Sequence, residues 1–349
     1  MKGPPGLPSR MTPLEAGLRM PGEWGRHARC WMAWPSRADL WEGLWGGSLA
    51  ATQRAYAAVA AAIRRFEPVT MIVDPPAEEA ARRLCGPDIE LLALPIDDAW
   101  ARDSGPSFLV DGEGRSAGTA WRFNAWGGKH QPYEADAQMA PRLLEHLGLP
   151  CHRAPLFLEG GAIHVDGEGT VLTTESVVLN PNRNPGLSKA AAERELCHAL
   201  GASKIIWLPG DRDEIETDGH VDGLACFARP GVVIYETNPD PEDPHSRVLA
   251  ENLRALRRVT DARGRRLELV PLEEAYEAEP TTAVFCRSYI NFYLANDGVV
   301  MPAYGIAADQ RARACVQRLF PERTVVSVDV RDIAPGGGAI HCITQQQPA

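Results

Sequence analysis

One phrase of this chain occurs twice. Gly160-Gly161-Ala162-Ile163-His164 returns residue for residue as Gly337-Gly338-Ala339-Ile340-His341. A five-residue identity within one chain points to two turns of a repeated architecture. The next position differs: Val165 follows the first copy and Cys342 the second. A thiol where the sister copy has an inert valine suggests that one repeat acquired chemistry.

The rest of the chain keeps a matching grammar. Residues 48–66 are Ala-rich and predict a helix with Ser48 as its N-cap. Pro68 stops it, and residues 69–73 read as a buried strand. A short helix at 77–84 and a strand at 89–94 follow. Helix then strand recurs at 134–147 and near 156, at 188–200 and 204–208, at 244–260 and 267–270, and at 307–320 and 324–328. Further strands are expected at 170–174, 221–227, 232–236 and 289–294. This recurrence predicts a repeated α/β unit. No Gly/Ser linker or charge block splits the chain, so one closed domain with internal pseudo-symmetry is expected over residues 18–349. Residues 1–17, rich in Pro and Gly, read as a flexible leader.

Composition excludes several functions. A chain of 349 residues can bury a sizeable core without staples. Its net charge of −10 argues against nucleic acid and anionic membranes as partners and mildly favours cationic ligands. Residues 1–17 lack the apolar core expected of a signal peptide, and no stretch of about 18 apolar residues is expected to cross a membrane. The eight cysteines show no CxxC and no regular spacing, which predicts free thiols in a cytoplasmic setting. No GxGxxG follows the first strand, so a dinucleotide fold is disfavoured. Homo-oligomerisation is left open.

Four segments place reactive residues beside glycine. Asp97-Asp98-Ala99-Trp100-Ala101-Arg102-Asp103-Ser104-Gly105-Pro106 follows a buried strand. It could be a solvated strand-end loop with an Arg–Asp pair. It could equally grip a cation through a carboxylate, with Trp100 against the ligand's apolar stem. Glu159 precedes a glycine pair, an awkward place for a buried acid, and His164 in the same segment reads as structural. In Glu216-Thr217-Asp218-Gly219-His220-Val221-Asp222-Gly223, a strand would turn His220 and Asp222 to one face. A histidine oriented by a carboxylate is an acid/base candidate, against the plainer reading of a salt-bridged surface histidine. The spacing would also suit a metal pair, but no further ligands lie at zinc-like spacing.

Cys342 closes the set. Its thiol is a poor nucleophile until deprotonated, with a pKa of about 8.5 in the free amino acid, so it needs a cation nearby. Together the four segments supply a nucleophile (Cys342), an acid/base (His220) and carboxylates (Asp103, Asp222, Glu159), with no metal or cofactor required. Paired carboxylates imply a positively charged substrate rich in N–H donors, which a guanidinium is.

With those residues in hand, the chain resembles the agmatine deiminase family, within the guanidine-modifying group that includes bacterial peptidylarginine deiminases. The blocks that carry the resemblance are MPGEWGRHARCWMAWPSR, DDAWARDSGP, NAWGG, LEGGAIHVDGEGT, LNPNRNPGLS, TDGHVDG, NFYLAN and HCITQQ, which span nearly the whole chain. The resemblance implies a single catalytic domain, a five-fold pseudo-symmetric α/β propeller of ββαβ-type units with a central channel. It implies Cys342 as nucleophile, His220 as general acid/base, Asp103 and Asp222 as guanidinium holders, Glu159 as the residue that orients His220, and Trp100 as a wall for the substrate's methylene stem. Asp218 and Arg183 are further candidates for substrate contact. Ala339 and Gly223 stand where Asn is common in the family. The implied reaction is hydrolysis of agmatine to N-carbamoylputrescine and ammonia, serving polyamine supply. Alternatives are a deiminase of free arginine or of a peptide's C-terminal arginine, whose carboxylate Arg183 could receive, an amidinotransferase, and a non-catalytic binder of cationic amines.

Overall fold

A computed structural model describes residues 11–349; residues 1–10 of the expected leader lie outside the described residues. The remainder of that leader forms a turn, in which the Leu14 amide donates to the His198 carbonyl at 3.2 Å. Among the described residues the strands make five sheets of one design.

Strands β4 (Ser107–Val110), β5 (Ser116–Arg122) and β6 (Cys151–Phe157) form the first complete unit. β4 and β5 are an antiparallel hairpin, and β5 runs parallel to β6 across a helix, Met139–His146. The unit recurs in β7 (Ile163–Val165), β8 (Thr170–Thr174) and β9 (Lys204–Leu208) with helix Lys189–Leu200. It recurs again in β10 (Ala225–Arg229), β11 (Val232–Thr237) and β12 (Glu268–Glu273) with helix Pro244–Leu256. A fourth copy is β13 (Tyr293–Ala295), β14 (Gly298–Ala303) and β15 (Thr324–Asp329) with helix Ala308–Leu319.

The fifth unit is built from both ends of the chain. β16 (Thr344–Pro348) pairs antiparallel with β1 (His27–Ala33), with Met32 opposite Thr344. β1 runs parallel to β2 (Val69–Val73) across helix Leu49–Arg64, and β3 (Glu90–Ala93) is added at the outer edge. A parallel pair needs a crossover, which is why each unit carries a helix between its parallel strands, and the fifth a second helix, Glu78–Cys85, between β2 and β3.

Local chemistry fixes the helix ends. The Ser48 side chain accepts from the Ala51 amide and Ser188 from Ala191. Pro244 occupies the first turn behind Asp243, whose carboxylate accepts from the His245 amide. Trp31, Trp34, Trp41 and Trp45 are buried, as expected of packing residues, and Trp41 meets Trp45 edge-on and lies tilted against Trp100. The predicted strand over 221–227 is a correction. Val221–Gly223 is a tight 3-10 turn and the strand starts only at Ala225. Gly219 and Gly223 bracket the turn and break the ladder that strand-like alternation would need.

The fifth and fourth units are joined by a buried polar knot. Glu67 accepts from the Tyr293 hydroxyl at 2.6 Å and the Asn296 amide at 2.8 Å, and lies 3.2 Å from His27 Nδ1. Removing it leaves those donors unpaired in the interior. Glu67→Leu should therefore destabilise the fold by about 2–5 kcal/mol, and Tyr293→Phe by about 1 kcal/mol, in urea unfolding followed by far-UV circular dichroism.

Candidate active site

The two copies of the repeated phrase meet at one place. In the first, Gly160–Ala162 form a 3-10 turn that leads into β7. In the second, residues 340–343 form a turn that leads into β16. The His164 and His341 rings stack with centroids 6.2 Å apart, and both face Glu23: His341 Nε2 is 3.0 Å from Oε1 and His164 Nε2 3.6 Å from Oε2. His164 is thus buried against Glu23 and the His341 ring.

Around Gly161 the reactive groups converge. A β-carbon on that glycine would lie 2.6 Å from His220 Nδ1, 2.9 Å from Asp103 Oδ1 and 3.1 Å from Asp222 Oδ2. Only the missing side chain lets an imidazole and two carboxylates share this space. Gly338 does the same for the thiol, since its β-carbon would sit 2.5 Å from the Trp100 ring and 3.0 Å from Cys342 Sγ. Trp100 therefore stands beside the sulfur, with its indole N–H held by Asp98 at 3.1 Å.

Each side chain is oriented by neighbours. Asp103 accepts from the Gly161 amide and the Trp126 indole, both at 2.9 Å. Trp126 reaches it from a strained turn in NAWGG, where Ala125 and Trp126 have φ of 52° and 54°. Non-glycine residues held there cost about 1–3 kcal/mol each and persist only where surrounding contacts demand it. Glu159 is fully buried between Arg183 Nε at 2.8 Å and His220 Nε2 at 3.2 Å. Asp222 Oδ2 faces His341 Nδ1 at 2.8 Å, Asn291 Nδ2 at 3.3 Å and Cys342 Sγ at 3.5 Å. Asn291 also donates to the sulfur at 3.2 Å and accepts from the Cys342 and Ala339 amides.

Protonation follows from this packing. Burial alone would lower the His220 pKa, but Asp103, Glu159 and Asp222 outweigh it and raise it to about 9. Burial pushes the Cys342 thiol well up, and Asp222 and Asp103 push it further. Burial likewise raises Asp103, with Asp222 and Glu159 adding to it against His220. Burial would raise Asp222 too, but His341 holds it below the usual carboxylate range. At neutral pH the site holds an imidazolium and a neutral thiol. Such an arrangement can supply a proton, a thiol and two carboxylates able to hold a cation.

Two candidates sit differently from expectation. Arg183 is not a free receptor for a substrate carboxylate. Its guanidinium is committed to Glu159, Asn182, Asp218 and the Thr217 carbonyl, because a buried arginine must use its donors. Asp218 Oδ2 meets Arg183, the Asn182 amide at 3.0 Å and Lys129 Nζ at 3.0 Å. Sequence reasoning missed Glu23, Asn291, His341 and Trp126 as site residues, although MPGEWG, NFYLAN, HCITQQ and NAWGG had marked their segments.

From Cys342, His220 and Asp222 a cavity of about 390 Å³ runs outward. Its wall carries Asp211, Asp213, Glu214, Glu236, Asp243 and Glu274 against His245 and Arg287. No helix among the described residues is long and apolar enough to cross a membrane.

The chain matches the Porphyromonas-type peptidyl-arginine deiminase family over residues 19–348. The agmatine deiminase of Pseudomonas aeruginosa (strain LESB58) is 44% identical over 362 residues, covering 97% of each chain. The solved agmatine deiminase of Enterococcus faecalis superposes with a TM-score of 0.93 at 37% identity and covers 99% of both chains. A cysteine-to-serine variant of agmatine deiminase from C. jejuni with substrate bound has the same fold. Its TM-score is 0.84 at 24% identity, covering 95% of this chain and 96% of that one.

His220 gives the site a measurable signature. Its folded pKa of about 9 exceeds the ordinary 6.5. The stability it contributes is therefore complete below pH 6.5 and lost as pH rises through about 9. In proton NMR the His220 ring should titrate near pH 9, and Asp103→Asn should move that midpoint down. An unshifted midpoint in Asp103→Asn would show that the carboxylate does not hold the imidazolium.

Proposed function

The chain belongs to the Porphyromonas-type peptidyl-arginine deiminase family, and within it we propose an agmatine deiminase that hydrolyses the substrate guanidinium to N-carbamoylputrescine and ammonia. The observation that carries this reading is the convergence of Cys342, His220, Asp103 and Asp222 on the space left by Gly161 and Gly338. The acidic cavity wall favours a substrate with a cationic tail over one with a carboxylate, and Arg183 is already engaged within the protein. We also take the five sheets to be the blades of a five-fold pseudo-symmetric propeller over residues 18–349. Their shared strand order and the chain ends joined in one sheet support it.

Asp103 and Asp222 hold the guanidinium through its N–H donors, with Trp100 along the methylene stem. The bound cation offsets the burial and the carboxylate charge that keep the thiol protonated, and the Cys342 proton leaves to solvent. The thiolate attacks the guanidinium carbon and forms a neutral tetrahedral adduct. His220, already charged, donates its proton to the departing nitrogen and ammonia leaves. A cationic amidino-thioether remains on Cys342. Neutral His220 then takes a proton from water as its oxygen attacks the same carbon, and the neutral adduct gives up its hydroxyl proton to solvent as it collapses to the ureido carbonyl and expels the thiolate. Glu159, fixed by Arg183, keeps the imidazole ring in place throughout. Protein groups and water suffice for every step.

Ammonia release from agmatine by Cys342→Ser should fall by at least about a thousandfold relative to the parent, since hydroxyl is the poorer nucleophile at this pH. Near-normal turnover would overturn the nucleophile. On a substrate panel read by ureido product, kcat/KM for free arginine should be at least about a hundredfold below that for agmatine, a difference of about 2.7 kcal/mol. Equal values, or a preference for a C-terminal arginine peptide, would overturn the substrate.

A further inference from the structure

Glu236, His245 and Glu274 come from three elements of one repeat. Glu236 lies near the end of β11, and Glu274 directly follows β12, which runs parallel to it. The Glu274 amide donates to the Thr237 carbonyl at 2.9 Å, which continues the ladder. His245 is the second residue of helix Pro244–Leu256. One ligand-capable atom from each of the three lies within 4.8 Å of the other two. All three line the cavity that reaches Cys342, at the carboxyl ends of parallel strands, where α/β sheets bind ligands.

Two observations separate this cluster from an ordinary salt-bridged histidine. Glu236 is only 4% exposed, and its Oε1 has no hydrogen-bond partner. A buried carboxylate oxygen left without a donor is costly, and a cation would satisfy it. His245, in turn, is oriented from behind. Its Nδ1 lies 3.2 Å from Asp211 Oδ2, while Nε2 points to Glu236 Oε2 at 3.6 Å. A carboxylate on one ring nitrogen, with the other facing acidic oxygens, is how metal-binding imidazoles are held. Glu274 is oriented too, by the Asn238 amide on its Oε1. Arg287, on the same wall, adds a positive charge near Glu274, and Asp243 a negative one.

We propose that Glu236, His245 and Glu274 bind one divalent transition-metal ion, with Asp211 and Asn238 fixing two of the ligands, at a site separate from the Cys342 thiol. One imidazole nitrogen and two carboxylates suit ions of the Mn²⁺, Co²⁺ and Zn²⁺ class, with water completing the shell. The sequence hid the site because its ligands form no short motif.

Mn²⁺ is the probe, because it avoids the thiols that would capture zinc. Full-length protein titrated with Mn²⁺, with the free aqueous ion followed by electron paramagnetic resonance, should take up one equivalent saturably, and its Tm should rise. Glu274→Gln and His245→Gln should each weaken uptake at least tenfold, whereas Cys342→Ser should not change it. No saturable uptake by the parent chain would overturn the proposal, and so would unchanged affinity in Glu274→Gln. Loss of uptake in Cys342→Ser with retention in Glu274→Gln would also overturn it, by moving the ion to the thiol. Should His245→Gln fail to fold, Glu274→Gln alone decides.

Discussion

Three buried carboxylates share one imidazole, and much of the irregular backbone exists to make that tolerable. Taking a carboxylate out of water costs several kcal/mol unless charge and hydrogen bonds replace the solvent. The three acids are compensated in different ways. Glu159 has the buried Arg183. Asp222 has His341, which is itself held by Glu23, and Glu23 in turn meets Arg102 Nη1 at 3.2 Å. Asp103 has no arginine; it relies on the Gly161 amide and the Trp126 indole, and shares His220 with the others. The left-handed Ala125 and Trp126, and Asp218 at φ 65°, are the backbone distortions that bring these partners in.

The repeated phrase shows how identical letters yield different roles. After its histidine the first copy runs into a hairpin, and Val165 is a buried ladder residue opposite Val171. The second copy turns before its strand begins, so Cys342 projects from a turn clamped by Asn291. The first copy supplies an acid and a glycine-lined gap. The second supplies the sulfur that faces the gap. Their histidines, bound to one glutamate, keep the two halves in register.

The helices were legible in the sequence because their signals are local. Ser48 and Ser188 announce the starts of helices found at Leu49–Arg64 and Lys189–Leu200. Cys342, His220, Asp103, Asp222 and Glu159 were legible through their motifs, and they do meet. The turn at Val221–Gly223 was misread because apolar–polar alternation looks like a strand when the breaking force is two flanking glycines. The pairing of β16 with β1 had no local signal at all. Nor did the contact of His341 with Glu23, 318 positions apart in the chain. Arg183 was misjudged for a related reason: a lone arginine in a loop reads as free until the acids that occupy it are seen.

The unusual protonation of the empty site carries its own consequence for the proposed chemistry. A thiol held neutral by burial and two carboxylates is inert towards stray electrophiles. A guanidinium placed between Asp103 and Asp222 adds a positive charge close to the sulfur. At about 4 Å and an effective dielectric near 20, that attraction is about 4 kcal/mol, or about three powers of ten in thiolate fraction. The nucleophile is therefore switched on by the group it must attack. The ureido group of the product is neutral and brings no such charge to the sulfur, so the returning thiolate recovers its proton once the product has formed. The charge lost when a guanidine becomes a urea both ends the reaction and resets the sulfur. A neutral isostere of the substrate could fill the same cavity and leave Cys342 unreactive.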